Sequence, residues 1–326
     1  MSSDLTDTEA TTPLAFERQI RGALVVAAVV LVGYLILAAS GDRALVLDGL
    51  GRLHLWQWLT LLGLSLVNYG LRFLRWHGYL SALGSHVRGW YHLKVYLAGF
   101  AFTVSPGKAG EAVRSVYLRA EGVPWSQSLA TLTLERLLDL AAMVMLAGLA
   151  IGVFADYAWA ASLLVLAVGG GLFVATRPGV IRAALARLPA NRRDGKVTRG
   201  IAAILQDSGR LLAPPPLLAG LLLGLLAWGA EALGFWLLLD WLGAAVDPLP
   251  AMGIYAVSML AGAASLLPGG VGGAEAAMVA LIMAGGAELG TAVLATVICR
   301  AATLWFAVAL GLGALMLIAR RSGDAD

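Results

Sequence analysis

Charge is scarce in this chain. Only 13% of its 326 residues are Asp, Glu, Lys or Arg, and 60% are hydrophobic, where a soluble domain carries about 25% charged residues. A shortage of that size excludes a solvated globular fold and leaves no hydrophilic block for a separate soluble catalytic domain. Cysteine is nearly absent. Cys299 stands alone in an apolar run, so no intrachain disulfide can form and the redox compartment stays undecided. Histidine is rare as well. His77, His86 and His92 fall near one another, but their spacing is irregular and no carboxylate lies among them. They read as solvated interface residues and not as metal ligands. Zinc spacings, a Walker loop and a nucleophile elbow are all missing. No catalytic motif, cofactor or nucleic-acid partner is therefore expected.

What is present is long apolar runs. At 1.5 Å per residue, about 20 residues cross a hydrocarbon core of roughly 30 Å. Residues 22–40, 55–76, 126–153, 158–176, 217–239 and 289–318 meet that length. Residues 1–20 form a polar tail too acidic for a cleaved signal, with Asp4, Asp7 and Glu9. Residues 321–326 form a second tail, and everything between is one transmembrane domain. Trp56, Trp58 and Trp76 bracket the second span, as interfacial anchors do.

Two stretches break this pattern. Ser105-Pro106-Gly107-Lys108-Ala109-Gly110-Glu111 interrupts one apolar run, and Leu267-Pro268-Gly269-Gly270-Val271-Gly272-Gly273-Ala274-Glu275 interrupts another. The arms beside them, 93–104 with 109–120 and 251–267 with 274–286, are too short to cross. Proline bars the preceding residue from helical geometry and removes a backbone donor. Each stretch is thus expected to turn a re-entrant helical hairpin, over 91–120 and 250–287. An arginine follows each inside an apolar span: Arg136 lies 25 residues after Glu111, and Arg300 lies 25 residues after Glu275. The fold expected is all-α and polytopic, with about six full spans and two oppositely oriented hairpins in an inverted repeat. Broken segments at matching places in two halves point to a midplane site.

Basic residues stay cytoplasmic in short loops. The basic loop 177–213, Arg114 with Arg119, and Arg320-Arg321 then lie inside, and the loop with Asp240 and Asp247 lies outside. Both termini are expected on the cytoplasmic side of the inner membrane. Arg182, Leu185 and Leu188 allow an amphipathic surface helix within the basic loop.

Ionisable groups inside a membrane cost about 2.5–3.5 kcal/mol each on insertion scales. Those here are Arg72 and Arg75, Glu135, Arg136 and Asp139, Glu231, and Arg300. Glu135, Arg136 and Asp139 can pair along one helix. Arg300 has no carboxylate within four residues, so Glu275 is its expected partner. Glu111 and Glu275 can cap the exit arms of their hairpins or serve a site. Arg72 and Arg75 can be snorkelling boundary residues or part of that site. Lys108 sits in a turn rich in free N–H groups, which suits an anion. Glu231 has no assigned role.

The motifs Pro106-Gly107-Lys108-Ala109-Gly110-Glu111 with Arg114, Leu134-Glu135-Arg136-Leu137-Leu138-Asp139, and Pro268-Gly269-Gly270-Val271-Gly272 with Glu275 and Arg300 resemble the transmembrane region of lysylphosphatidylglycerol synthases. Arg72, Arg75 and Trp76 resemble that family's early arginine-rich helix end, and the resemblance runs from about residue 20 to 320. It implies a flippase that carries aminoacylated phosphatidylglycerol between leaflets. Stand-alone members are linked to glycolipid or polyprenyl-phosphate pathways. No counterpart of the soluble aminoacyl-transferase domain follows the spans, so a stand-alone form without lysyl transfer is expected. The partners expected are membrane lipids, anionic phospholipid or lipid-linked phosphate, with a second copy of the chain also admissible. The function expected is lipid translocation, the protein itself being no enzyme. A membrane-embedded transferase with Glu111 or Asp139 as base is the alternative.

The orientation can be checked by substituted-cysteine labelling in a Cys299→Ala background. Cysteines at Gly243 and Ala287 are expected to react only from the extracytoplasmic side. Labelling of residue 287 from the cytoplasmic side alone would overturn the inverted arrangement.

Overall fold

The computed structural model describes residues 51, 53–105, 110–150, 170, 177, 179, 196–265 and 267–323. The expected first span 22–40, nearly all of 158–176, the surface helix at Arg182–Leu188, and the turn residues Pro106, Gly107 and Lys108 lie outside them. Among the described residues there are helices and no strands.

The helices are α1 (Leu55–Ala82), α2 (Gly89–Ala98), α3 (Val113–Ala120), α4 (Trp125–Ala147), α5 (Lys196–Leu211), α6 (Pro214–Trp241), α7 (Pro248–Ala264), α8 (Gly273–Ala284), α9 (Leu289–Arg300) and α10 (Phe306–Gly323). Short 3₁₀ turns extend α2 at Gly99–Phe102 and α4 at Gly148–Ala150. Among the described residues two helical runs are both long and apolar enough to cross a membrane by length and composition. They are α6, with mean hydropathy 1.8, and the continuous run Leu289–Ala319, with 2.2. α1 has 28 residues and α4 has 23, so both have the length. What separates them from those two runs is the charge of α4, with Glu135, Arg136 and Asp139, and in α1 the two arginines together with Gln57, Asn68 and several tryptophans and tyrosines.

Three local expectations are corrected. α1 does not stop at Trp76 but runs to Ala82, so His77 belongs to a helix. The predicted loop 177–213 holds α5, where Ile204, Leu205 and Leu211 recur at helical spacing and Leu211 is fully buried against Tyr79 and Leu138. Pro214-Pro215-Pro216 opens α6, so this helix begins before the expected residue 217. A first turn has orphan N–H groups anyway, so prolines lose nothing there.

Glycines set how closely the helices approach. On α6, a Cβ at Gly220 would lie 1.6 Å from the Tyr79 hydroxyl, and one at Gly224 would lie 2.8 Å from Arg75 Nη1. Small residues four apart let helices close up where lipid gives no hydrophobic drive. α7 and α8 form a tight helical hairpin. A Cβ at Gly262 would lie 2.7 Å from the Ala274 methyl, and the turn between them bends through positive φ at Gly269 (65°), Gly270 (68°) and Gly272 (92°). Only glycine enters that region without strain. In the first pair, Gly110 leaves no room for a side chain beside Phe102 and Ser105, and its N–H is received by Ser105 Oγ at 2.7 Å.

The helical run that follows each broken stretch also packs against the helices flanking the other. A Cβ at Gly253 of α7 would fall 2.4 Å from the Ala150 nitrogen just past α4. A Cβ at Gly311 of α10 would fall 2.2 Å from the Ala101 nitrogen in the first pair. Two apolar cores result. One joins α4, α6, α7, α8 and α9 around Trp228, Phe235, Tyr255 and Ile298. The other joins α1, α2 and α10 around Trp76, Tyr96, Phe100 and Leu315.

At Ala301–Trp305 the last run loosens into a π-turn directly after Arg300. The carbonyls it displaces are received by α1: Ser65 Oγ donates to Ala302 O at 2.9 Å and Tyr69 OH to Thr303 O at 2.6 Å. Such turns concentrate at functional sites.

Gly311→Val should force α10 off the Ala101 backbone, which has no side-chain freedom with which to yield. The expected loss is about 1–3 kcal/mol, seen as a lower melting temperature in detergent. Gly313→Ala, with nothing within 4 Å of its added Cβ, should leave melting unchanged. Equal melting of both variants would contradict the packing described.

Candidate functional site

Arg72 and Arg75 lie three apart on α1, and Glu135 and Asp139 lie four apart on α4. Each pair therefore presents one face, and the two faces meet. Arg75 Nη2 is 2.5 Å from Asp139 Oδ1, and Arg72 Nη2 is 3.3 Å from Asp139 Oδ2 and 3.4 Å from Glu135 Oε1. α3 adds Arg114, whose Nη1 reaches Glu135 Oε2 at 3.2 Å and whose Nη2 reaches Glu111 Oε2 at 2.7 Å. Arg136 Nη2 closes the circuit at 3.2 Å from Glu111 Oε2, 3.3 Å from Glu135 Oε1 and 3.7 Å from Asp139 Oδ2. Four guanidiniums thus share three carboxylates.

Burial decides what these groups are. Arg72 and Arg75 are almost wholly enclosed, so the snorkelling alternative fails and they belong to the network. Neutral donors and rings complete the shell. Tyr96 OH donates to Glu135 at 3.1 Å, Trp228 Nε1 to Asp139 at 3.1 Å, and Thr103 Oγ1 to Glu111 at 3.0 Å. Arg114 lies over the Tyr96 ring at 4.1 Å, and Arg72 over Trp228 at 5.1 Å. These contacts are stronger once desolvated.

The second cluster is smaller. Arg300 Nε lies 2.6 Å from Glu275 Oε1, and its Nη2 donates to Gly269 O at 2.9 Å. Glu275 Oε2 also accepts the Gly272 N–H at 2.6 Å. Glu275 is therefore both a cap for α8 and a partner for Arg300. Both glutamate–arginine pairs separated by 25 residues are real contacts.

One cavity of about 320 Å³ touches both clusters. Arg72, Arg136 and Asp139 reach it from the first and Arg300 from the second, with Tyr69, Phe100, Trp228 and Tyr255 as aromatic walls. Glu231 also lines it and accepts a 2.5 Å hydrogen bond from Tyr255 OH. Gly269 and Gly270 of the turn border it, whereas Arg75, Arg114, Glu111, Glu135 and Glu275 stand behind its wall.

Sequence reasoning missed several of these groups. Tyr96, Trp228 and Tyr255 carry no signal, since an aromatic in an apolar helix looks like core. Glu231 was visible as an isolated charge in a span, but its partner was not. One histidine is also corrected, while His86 is exposed as expected. His92 is buried, accepts from Trp76 Nε1 at 2.8 Å and pairs with His77 Nδ1 at 2.9 Å. Among the described residues no cluster of His, Cys, Asp or Glu is arranged to hold a metal.

A family model described as the lysylphosphatidylglycerol synthase TM region matches residues 22–311. The chain belongs to that family. No curated protein matches it. With its long apolar helices, membership makes this a helical membrane protein whose family ties it to membrane lipid.

The network distinguishes its members energetically. Glu135 is fully buried and touches four arginines, whereas the Arg136 side chain is 24% exposed at the cavity. Removing one partner from a buried ion pair costs about 3–5 kcal/mol. Glu135→Gln should therefore lower the melting temperature in detergent far more than Arg136→Gln. The opposite ranking would place the keystone elsewhere.

Proposed function

We propose that this protein is a lipid translocase. It moves an anionic or phosphate-bearing lipid between leaflets by passing the head group through the cavity. One observation carries this reading: guanidiniums from both halves of the chain, Arg136 and Arg300, face one cavity of head-group size. The two glutamate–arginine pairs of equal spacing, and the packing of each following span on the other hairpin, support an inverted repeat. On this reading the hairpins enter from opposite faces and both termini are cytoplasmic.

A phosphate crossing hydrocarbon alone meets a Born cost of tens of kcal/mol. The site replaces its water with fixed donors. Arg136 is the group able to turn toward a substrate, because none of its carboxylates depends on it. Glu111 keeps Arg114 and Thr103, Glu135 keeps Arg72, Arg75, Arg114 and Tyr96, and Asp139 keeps Arg75, Arg72 and Trp228. Lys108 is proposed as a further donor from the first turn. Rocking of one unit against the other then hands the phosphate from Arg136 to Arg300.

The test is flipping of a fluorescent anionic lipid in proteoliposomes, with chemical conversion of the lipid followed in parallel. Arg136→Gln should slow flipping by about 100-fold or more, roughly 3 kcal/mol of lost stabilisation, with melting close to wild type. Arg136→Lys should recover only part, since lysine lacks the bidentate fork. Glu275→Gln/Arg300→Gln, which removes a pair together and leaves no orphaned charge, should also stop flipping. Normal flipping in both would make the pairs purely structural, and conversion without flipping would favour a transferase.

A further inference from the structure

The cavity is not enclosed evenly. Of the side chains that line it, Tyr69, Phe100, Trp228 and Tyr255 are buried, and so are Arg72 and Arg300. The lining residues that are exposed are Leu140, Ala263 and Leu267, and all three are apolar. Leu140 lies on α4, one turn after Arg136. Ala263 lies at the end of α7. Leu267 immediately precedes the turn whose Gly269 carbonyl receives Arg300. An exposed apolar rim thus stands beside each cationic pole.

The opening follows from how α4 and α7 pack. Where Gly253 meets the Ala150 backbone there is no room for even a methyl group. From that contact toward the cavity, residue numbers fall along the α4 side to Met143 and Leu140 and rise along α7 to Met259 and Ala263. The helices are in contact at Gly253 and Ala150, and the cavity takes up the space between Leu140 and Met143 on one side and Met259, Ala263 and Leu267 on the other.

A water-soluble anion has no use for such a mouth, because exposed leucines at the rim favour hydrocarbon over a hydrated ion. A lipid matches both features at once: phosphate inward on the guanidiniums, chains outward over the leucines. Resting on the translocase reading above, we propose that the gap between α4 and the α7 end is a lateral portal. The hydrocarbon chains of the lipid stay in the bilayer there and slide past Leu140, Ala263 and Leu267 while the head group occupies the cavity. The occupant is one lipid molecule, held by its phosphate and unselected by its tail, since the rim offers only non-directional apolar contact.

Photo-crosslinking in whole membranes tests this directly. p-Benzoylphenylalanine is placed at Leu140 or Leu267, and at the exposed apolar positions Leu226 of α6 and Met316 of α10, in cells whose phospholipids carry ³²P. Any lipid-facing position will capture some lipid, so the deciding comparison is dependence on the cationic site. Adding Glu275→Gln/Arg300→Gln and Arg136→Gln should reduce labelled adducts at 140 and 267 by about tenfold, equivalent to roughly 1.4 kcal/mol of binding. Adducts at 226 and 316 should not change. Separately, Leu140→Trp/Ala263→Trp should slow flipping by about tenfold with unchanged melting, whereas Leu226→Trp should not. Adducts at 140 and 267 that ignore the arginines, or normal flipping with both tryptophans present, would overturn the portal while leaving translocation intact. Absence of flipping in the wild type would reject translocation itself, and arginine-dependent adducts would then still locate a lipid site at the portal.

Discussion

Everything in this fold depends on how four buried arginines, and a fifth at the cavity wall, are neutralised. A lone charge taken from water into a low-dielectric interior costs several kcal/mol even after relaxation. Arg72, Arg75, Arg114 and Arg136 could not be kept in apolar helices singly. They exist here because Glu111, Glu135 and Asp139 come to them from α4 and from the first hairpin region. That requirement fixes the register of α1 against α4, since sliding either helix by one turn would separate Asp139 from Arg75. It also explains the aromatic residues around the network. Rings of Tyr96, Phe100 and Trp228 cover guanidinium faces that carboxylates leave bare.

The glycines serve the same end from the backbone side. Charges can pair across helices only if the helices come close, and Gly99, Gly220 and Gly224 put backbone against the side chains of Arg114, Tyr79 and Arg75. Gly253 and Gly311 then tie α7 to the end of α4 and α10 to the turn after α2. Close approach at these points is what leaves space elsewhere: helices crossing tightly at one place must diverge beyond it. The cavity is the region left between two well-packed cores, bounded by Phe100 and Ala307 from one and by Trp228, Tyr255 and Leu260 from the other.

Much of this could be read from the sequence, for physical reasons. Proline and glycine breaks in apolar runs are local, so the turn at Pro268–Gly272 could be read from the sequence, and positive φ at Gly269 follows from its type. Charges in apolar helices are conspicuous, and Arg300 demanded a distant partner that only Glu275 was placed to supply. Pairing among several helices was less legible. Nothing local says that Arg72 and Arg75 face Asp139 and not the membrane surface, because a helix end near a tryptophan suits both. The π-turn after Arg300 was invisible, since Ala301-Ala302-Thr303-Leu304-Trp305 is ordinary helix sequence and the loosening depends on donors from Ser65 and Tyr69 of α1. His92 was misjudged for a similar reason: its partner Trp76 lies on another helix.

The two halves are alike in spacing but unequal in design, and the inequality bears on direction of use. In the first half a guanidinium surplus surrounds carboxylates that each have several partners, so one cation can leave without orphaning an anion. In the second half Arg300 serves a single glutamate and a turn carbonyl, both of which are tied to the backbone geometry of Gly269 and Gly272. Moving Arg300 would disturb the turn itself. The first cluster is therefore the one in which a cation can move without orphaning a carboxylate. The second is the one in which the cation and the backbone of the turn are tied together. The translocation proposed above would draw on that coupling, because a ligand shifts a conformational equilibrium only through different contacts in the two states. The positive-φ glycines around Arg300 supply a backbone able to take up such a difference.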